Sequence, residues 1–284
     1  MRPQQWTKNF LVFAGIIFGE QLLNATARLQ ALGAFAVFCA LSSAVYLVND
    51  VRDRDADRVH PAKSKRPIAS GQLSVNVALV AALVLTGAGL AGALAISPSF
   101  ALIASAYVLL MGWYSLGLKH VVILDVIALA GGFVLRAAGG AAAVGVPFSH
   151  WLLLLTLLLA LFLALSKRRA ELVALTDEAR THRKSLGEYS PYLLDQMIGV
   201  VTASTLLAYA FYTISPETTV KFGTDHLLWT VPFPLYGIFR YLYLVHQRAG
   251  GGNPSDTLLE DRPILICVAL WGVAVIAILY GPLR

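Results

Sequence analysis

Hydrophobic segments close to bilayer-spanning length recur along the whole chain, and this repetition constrains the fold more than any other feature. A transmembrane helix needs about 20 mostly apolar residues. Of the 284 residues, 57% are hydrophobic and only 13% are charged, a charged share well below that of soluble domains. The predicted spans are 9–25, 28–50, 74–96, 100–118, 121–143, 151–167, 193–214, 228–246 and 263–282. The sequence therefore predicts an all-α, polytopic bundle of nine transmembrane helices, forming one domain over residues 1–284.

The composition of individual segments adds three expectations about packing. The first segment follows the charged stretch MRPQQWTKN and so has features of a signal peptide, but we expect it to be retained as part of the bundle. The glycine-rich fifth segment should let neighbouring helix backbones approach closely. Cys39 and Cys267 both lie in apolar segments, and we interpret them as small buried hydrophobic residues outside any disulfide or metal site.

The distribution of basic residues predicts the orientation in the membrane. A net charge of +6 could suggest nucleic acid, but these charges lie in short loops beside apolar segments, which favours no nucleic-acid partner. In the nine-helix topology, only Arg28, Lys221 and Arg284 lie in the loops and terminus of one side, and nearly all other Lys and Arg residues lie on the opposite side. The positive-inside rule then predicts a multi-pass protein of the cell membrane, with the N-terminus cytoplasmic and the C-terminus outside.

A row of acidic residues follows the second segment, in the stretch NDVRDRDAD. Asn49, Asp53 and Asp57 are four residues apart, and Asp50 lies three before Asp53, so one face of a continuing helix would carry all four. Clustered carboxylates repel one another unless a cation intervenes, and oxygen-only ligands suit Mg²⁺. We therefore predict Asp50, Asp53 and Asp57 as catalytic metal ligands, with Asn49 as a fourth ligand. The alternative is a solvated helix end balanced by neighbouring arginines, and this is our interpretation of Asp55.

The stretch HPAKSKRPIASG comes directly after the acidic row. Its prolines and glycine predict a loop, and Lys63, Lys65 and Arg66 give it the character of an anion-binding segment. Taken alone, it could be only a basic loop on the cytoplasmic side. Because it follows a magnesium-type acidic row, we favour binding of a substrate diphosphate by Lys63 and Arg66, with Lys8 and Arg58 as further candidates.

A second polar stretch, SKRRAELVALTDEARTHRKSLGEY, follows the sixth segment. Lys167, Arg168 and Glu171 continue that helix, and Arg183 lies further along the loop. Alone, this stretch could again be a basic cytoplasmic loop. Both polar stretches end segments that we predict to run to the same side, so we expect two polar patches facing one cavity. Such an arrangement suits a substrate with two separated phosphate groups.

Two charged residues fall inside the fifth segment, where ionisable groups are costly and are usually functional or paired. Asp125 is near the cytoplasmic end and close in sequence to Tyr114 and Lys119, so we predict that it belongs to the substrate site. Arg136 lies about three helical turns further on. We expect it to bind backbone carbonyls or a neighbouring helix.

Taken together, these motifs resemble the UbiA superfamily of intramembrane prenyltransferases. The resemblance rests on nine predicted spans, on N-D-x-x-D-x-x-x-D after the second span, and on a second polar motif after the sixth. The stretches RPQQWTKN, DRVHPAKSKRPIASG and SKRRAEL are most similar to a branch that transfers 5-phosphoribose from phosphoribosyl diphosphate to a polyprenyl phosphate such as decaprenyl phosphate. That branch supplies arabinose donors for the cell wall, and the resemblance also allows a homo-oligomer.

Two departures from the superfamily pattern bear on the substrate. The second motif is basic here, at Lys167, Arg168 and Arg169, where aromatic prenyltransferases carry a second pair of aspartates. The Y-x-x-x-K motif of the superfamily is displaced, since Tyr114 and Lys119 are five residues apart. The resemblance thus implies Mg²⁺-dependent phosphoribosyl transfer. The alternatives are an aromatic prenyltransferase with a prenyl diphosphate donor and a transporter, although a transport site would lie nearer the membrane midplane.

Overall fold

The computed structural model describes residues 3–59, 63–175, 184–247 and 260–281, and every regular element in these ranges is helical. This confirms the predicted all-α class. The chain divides into two compact units, Met1–Phe148 and Ser149–Arg284, and each unit has its own packed helices. The single domain predicted over 1–284 stays a prediction.

The first unit begins with a 3-10 helix, Pro3–Phe13, and continues with six α-helices. They are α1 (Ala14–Phe18), α2 (Ala25–Arg52), α3 (Arg54–Val59), α4 (Val75–Ile96), α5 (Pro98–Leu116) and α6 (Leu124–Val144). A short 3-10 turn, Leu118–His120, connects α5 to α6. Helix α2 lies at the centre of this unit, because it packs against α4, α5, α6 and the N-terminal 3-10 helix.

The second unit has five α-helices and two short 3-10 segments in its described residues. They are α7 (His150–Leu175), a 3-10 helix at Lys184–Glu188, α8 (Pro191–Ile214), α9 (Pro216–Phe222), a 3-10 helix at His226–Thr230, α10 (Pro232–Gln247) and α11 (Arg262–Tyr280). Helix α7 packs against α8, and α10 packs against α11.

Side-chain caps fix where several of these helices begin. Ser74, Ser97, Ser190, Ser215 and Asp261 each accept a hydrogen bond from the backbone N–H three residues further along the chain. Such a cap satisfies one of the amides that have no partner within the helix. Helices α5, α8 and α9 also begin with proline, whose missing N–H costs nothing in the first turn. The polar residues between apolar segments therefore define the helix ends.

Seven of the described helices are long and apolar enough to cross a bilayer: α2, α4, α5, α6, α7, α8 and α11. This confirms a multi-pass membrane protein but not the count of nine. The predicted span 9–25 covers the second half of the 3-10 helix, the five-residue helix α1 and a turn in which Glu20 has φ +55°. The predicted span 228–246 contains α10, which has only 16 residues because its proline-containing start, PFP, begins a new helix at Pro232.

Close backbone contact in the first unit explains part of the glycine pattern. A Cβ on Gly140 of α6 would overlap the backbone of Val12, and one on Gly15 of α1 would lie 2.7 Å from the Ala141 nitrogen. Only glycine lets the N-terminal segment lie this close to α6, as the sequence predicted for the fifth segment. Cys39 and Cys267 are both buried, which confirms that part of their interpretation.

Candidate functional site

The acidic row lies at the junction of α2 and α3. We predicted one continuous helix, and this is wrong at one position, because α2 ends at Arg52 and Asp53 caps its C-terminus before α3 begins. The four-residue spacing survives the break: the Asp53 amide bonds to the Asn49 carbonyl at 2.9 Å, and the Asp57 amide bonds to the Asp53 carbonyl at 2.7 Å. The row therefore keeps the helical register while the chain changes from one helix to the next.

Arg66 connects two carboxylates of this row. Its Nη1 donates to Asp57 Oδ2 at 2.5 Å and to Asp50 Oδ1 at 3.3 Å. Asp57 and Asp50 are both buried, at 4% and 8% exposure. Arg66 is held in place by its loop, since the neighbouring Ile68 is buried in a small apolar cluster between α2 and α4. The anion-binding loop predicted from the sequence thus lies over the acidic row in the structure.

Lys119 neutralises the third carboxylate from a different part of the chain. It lies on the 3-10 turn between α5 and α6, and its Nζ is 2.5 Å from Asp53 Oδ1 and 3.4 Å from Asn49 Oδ1. The Asn49 side chain also donates to Asp53 Oδ2 at 2.9 Å. Lys119 is only 7% exposed, which is unusual for a lysine without an ionic partner. Asn49, Asp50, Asp53, Asp57, Arg66 and Lys119 are called the first polar cluster below.

The other predicted site residues of the first unit lie in different environments. Lys8 and Lys63 are half-buried, and Asp125 is completely buried in the first turn of α6. Tyr114 packs against the core that contains Phe38 and Phe100. Arg58 is exposed and donates through Nε to the Ala69 carbonyl at 3.1 Å.

The remaining acid of the stretch behaves as expected. Asp55 has a side chain that is 93% exposed and lies 3.9 Å from Arg58, which agrees with our interpretation of it as a solvated residue. The same short helix, α3, therefore carries one acid of each kind, Asp55 in solvent and Asp57 buried.

A second polar cluster lies at the end of α7 and consists of Lys167, Arg168 and Glu171. Arg168 Nη1 donates to Glu171 Oε2 at 2.7 Å, and Lys167 Nζ lies 3.7 Å from Glu171 Oε1. Arg168 is nearly completely buried at 2% exposure, while Lys167 and Glu171 are part-exposed. Arg183 lies outside the described residues.

Sequence reasoning missed a neighbouring connection between three helices. Arg169 of α7 donates through Nε to Asp195 of α8 at 2.5 Å, and His246 of α10 places Nε2 3.2 Å from the same carboxylate oxygen. Arg169 was noted only as one basic residue among several, and no local pattern connects residues so far apart in sequence. The structure gives adjacent arginines different partners, Glu171 for Arg168 and Asp195 for Arg169.

Arg136 forms a buried network inside the first unit. It donates to Asn9 Oδ1 at 2.8 Å, to the Gly132 carbonyl at 3.0 Å and to the Tyr107 hydroxyl at 2.8 Å. This confirms that it binds a backbone carbonyl and neighbouring elements. Asn9 in turn donates to Cys39 and Ser42 of α2, so Arg136 connects the N-terminal segment to α2, α5 and α6.

The donor set of the first polar cluster fits Mg²⁺ in its chemistry, because three carboxylates and an amide lie on successive turns. In this conformation, no three His, Cys, Asp or Glu side chains of the described ranges converge closely enough to hold a metal ion. In this arrangement, Arg66 and Lys119 instead pair with oxygens of all three carboxylates. A divalent cation would have to exchange with these side chains.

The sequence of this chain is similar to those of several known proteins. A family model described as the UbiA prenyltransferase family matches residues 9–255. The decaprenyl-phosphate phosphoribosyltransferase of Corynebacterium glutamicum is 33% identical over 99% of this chain and 85% of that protein. The enzyme of the same name from Mycobacterium tuberculosis is 34% identical over 95% of this chain and 90% of its own length.

A solved structure has a similar fold. It is a UbiA homolog from Archaeoglobus fulgidus, bound to DMAPP and Mg²⁺, with a TM-score of 0.77 and 21% identity, covering 98% of this chain and 96% of that one. At this identity, the likeness shows the shared helical fold alone.

Proposed function

We propose that this chain, which belongs to the UbiA prenyltransferase family, transfers 5-phosphoribose from phosphoribosyl diphosphate to a polyprenyl phosphate and releases diphosphate. The chain is a membrane-embedded transferase. The observation that carries the finer proposal is the near full-length similarity to two enzymes named decaprenyl-phosphate phosphoribosyltransferase. The charge asymmetry of the loops supports a cytoplasmic location for the site.

The first polar cluster supports binding of the diphosphate end of the donor. Asn49, Asp50, Asp53 and Asp57 would hold Mg²⁺, and Arg66 and Lys119 would bind phosphate oxygens. When bound, Mg²⁺ would act as a Lewis acid for the leaving diphosphate. Both basic residues are part-buried or buried, so their interaction with an anion is weakened less by solvent than at an open surface.

The second polar cluster supports a further phosphate contact. It contains Lys167 and Arg168 against one acid, Glu171, so its formal charge is positive before any ligand binds. A prenyl diphosphate has no second phosphate group at a distance from the first, whereas phosphoribosyl diphosphate has its 5-phosphate and the acceptor has a lipid phosphate. We assign Lys167, Arg168 and Arg183 to one of these two groups.

The chemistry requires little from the protein beyond position and charge. An anionic oxygen of the polyprenyl phosphate attacks the anomeric carbon, the new C–O bond forms, and the bond to the diphosphate oxygen breaks with its electron pair. The acceptor is already deprotonated, so no general base is needed. Direct displacement inverts the anomeric configuration. Positive charge develops on the ribose and negative charge on the diphosphate, and preorganised cations stabilise the latter.

Aromatic prenyl transfer is the second candidate, because the similar solved structure is bound to DMAPP, a prenyl diphosphate. Purified full-length protein in lipid nanodiscs with Mg²⁺ distinguishes the two. One reaction contains labelled phosphoribosyl diphosphate and decaprenyl phosphate, and the other contains labelled dimethylallyl diphosphate and a hydroxybenzoate acceptor. We expect a labelled transfer product, the phosphoribosylated lipid, in the first reaction and no labelled transfer product in the second. Prenylation of the ring without phosphoribosyl transfer would contradict the proposal.

A further inference from the structure

We propose that Lys119 and Arg66 are internal counter-ions, which pair with the acidic row and move to the donor phosphates when metal and donor arrive together. The divalent cation and the diphosphate would then bind cooperatively. This inference rests on the proposed function and concerns how its site is loaded.

The formal charges of the first polar cluster do not balance. Asp50, Asp53 and Asp57 face two cations, Arg66 and Lys119, so the cluster has a formal charge of −1. A divalent cation added alone would change this to +1 and would displace Arg66 or Lys119 from its carboxylate. A diphosphate added alone would meet three carboxylates and be repelled. Together the two ligands bring opposite charges, and each removes the electrostatic cost of the other.

Burial raises the energetic cost of separating these ion pairs. Asp57, Asp50 and Lys119 are all less than 10% exposed, so water cannot fully replace a lost ionic partner. Removing one partner from a buried pair is costly because the other charge is left uncompensated. Displacement of Lys119 from Asp53 therefore requires another anion in exchange for that carboxylate, and a donor phosphate can supply it. The coupling follows from this requirement and works in both directions, as linkage demands.

The two counter-ions lie on backbones of different kinds. Arg66 lies in a loop fixed by the buried Ile68. Lys119 precedes a γ-turn in which the Leu124 amide bonds to the Val122 carbonyl at 2.8 Å and Ile123 adopts φ +69°. A β-branched residue with positive φ is strained. A shift of this connection would relieve the strain, so we assign the larger movement to Lys119.

The test begins without any donor, so that it does not depend on which donor is correct. Full-length wild type and the Lys119→Met variant in nanodiscs are titrated with Mn²⁺ alone, and free Mn²⁺ is measured by electron paramagnetic resonance. We expect the variant to bind Mn²⁺ at least about fivefold more tightly, because no lysine competes for Asp53, within the usual range of coupling effects. Equal Mn²⁺ affinity of the two proteins would overturn the proposal.

Two further variants separate the local effect from other causes. Lys65→Met removes the same charge from an exposed residue of the Arg66 loop, and we expect its Mn²⁺ affinity to stay within about twofold of wild type. Lys119→Arg keeps the counter-ion, so its Mn²⁺ affinity should remain near that of wild type. This variant can be measured even if Lys119→Met proves too unstable to purify. A Lys65→Met effect as large as that of Lys119→Met would show a general charge effect and contradict the inference.

The final measurement adds phosphoribosyl diphosphate at a free Mn²⁺ concentration fixed by a metal buffer. We expect the donor to raise the Mn²⁺ affinity of wild type about tenfold, and that of Lys119→Met less than about threefold. Equal enhancement in both proteins would refute the role of Lys119. If phosphoribosyl diphosphate binds neither protein at any metal concentration, the proposed function fails, whereas the result with Mn²⁺ alone still judges the counter-ion role.

Discussion

The two polar clusters are built from similar residues, but they are assembled in opposite ways. In the first cluster, acids from the α2–α3 junction meet Arg66 and Lys119, which are up to 66 residues away in sequence. In the second cluster, Lys167 and Arg168 meet Glu171 within one turn of a single helix. The first cluster has more acids than bases, and the second has more bases than acids. This difference in charge is consistent with the proposal that the first cluster binds a cation and the second binds a phosphate.

The largest effect is expected from Asp53→Asn, which removes a carboxylate of the first cluster at nearly constant volume. Activity should fall by at least about a thousandfold, because the proposed metal ligand and the partner of Lys119 are lost together. Steady-state rates with phosphoribosyl diphosphate and decaprenyl phosphate measure this loss.

Asp55→Asn is the matched control, since Asp55 lies two residues away and is exposed. Its activity should remain within about twofold of wild type, because an exposed acid has little effect on a buried site. Comparable losses of activity in Asp53→Asn and Asp55→Asn would contradict the distinction between the acidic row and its solvated neighbour.

The next effect concerns Arg168, whose substitution by Ala tests the second cluster. We expect the KM of one phosphate substrate to rise about thirtyfold, since a charge-assisted contact is worth about 2 kcal/mol. The KM of the other substrate should change little. Separate titrations of donor and acceptor identify the substrate that is affected.

Arg169→Ala is the control for that experiment, because Arg169 is bonded to Asp195 on α8 and has a different environment. It should lower the stability of the protein with little change in either KM. If both variants altered stability alone, the second cluster would be a structural ion-pair group, and its assignment to a phosphate would be wrong.

A smaller effect is expected from Arg136→Met, in a network that belongs to neither cluster. The substitution leaves Asn9 and Tyr107 without their guanidinium donor, which should lower the free energy of unfolding by about 1–2 kcal/mol. Denaturant titration in bicelles measures this change. Arg28→Met serves as the control, because the Arg28 guanidinium also donates hydrogen bonds, here to the Leu22 and Leu23 carbonyls, but lies exposed. An equal loss of unfolding free energy in Arg28→Met would show that burial of the Arg136 network adds nothing to stability.

The contrast between contacts within one helix and contacts between distant parts of the chain also explains how much of the molecule could be predicted from its sequence. Spans such as 28–50 and 193–214 correspond to α2 and α8, because long apolar segments and serine or asparagine caps are local signals. The i,i+3 contact of Arg168 with Glu171 was predictable for the same reason. The bridge between Arg66 and two aspartates was not, since the chain must first fold to bring the loop over the row.

Helix ends and long-range polar contacts were the least predictable features. The break at Asp53 falls in the stretch NDVRDRDAD, which contains no glycine or proline to mark a helix end. The connection of Arg169, Asp195 and His246 joins three helices whose sequences contain no shared motif. Segment 228–246 was judged by hydrophobicity alone, although its prolines at 232 and 234 already indicated a helix start.

The smallest effect is expected at Asp261, an acid of the second unit that is paired but lies outside both clusters, immediately before α11. Arg240 donates to its carboxylate at 2.9 Å, and the Ile264 amide also donates to it. These contacts hold the pKa of Asp261 below its usual range, and partial burial opposes them.

A carboxyl with a lowered pKa stabilises the fold above its unfolded pKa, and this contribution is lost as the pH falls through the folded value. Wild type should therefore have a higher Tm than Asp261→Asn at neutral pH, and the difference should narrow below about pH 4. A Tm difference independent of pH would mean that the cap geometry, and not the charge of Asp261, stabilises this helix end.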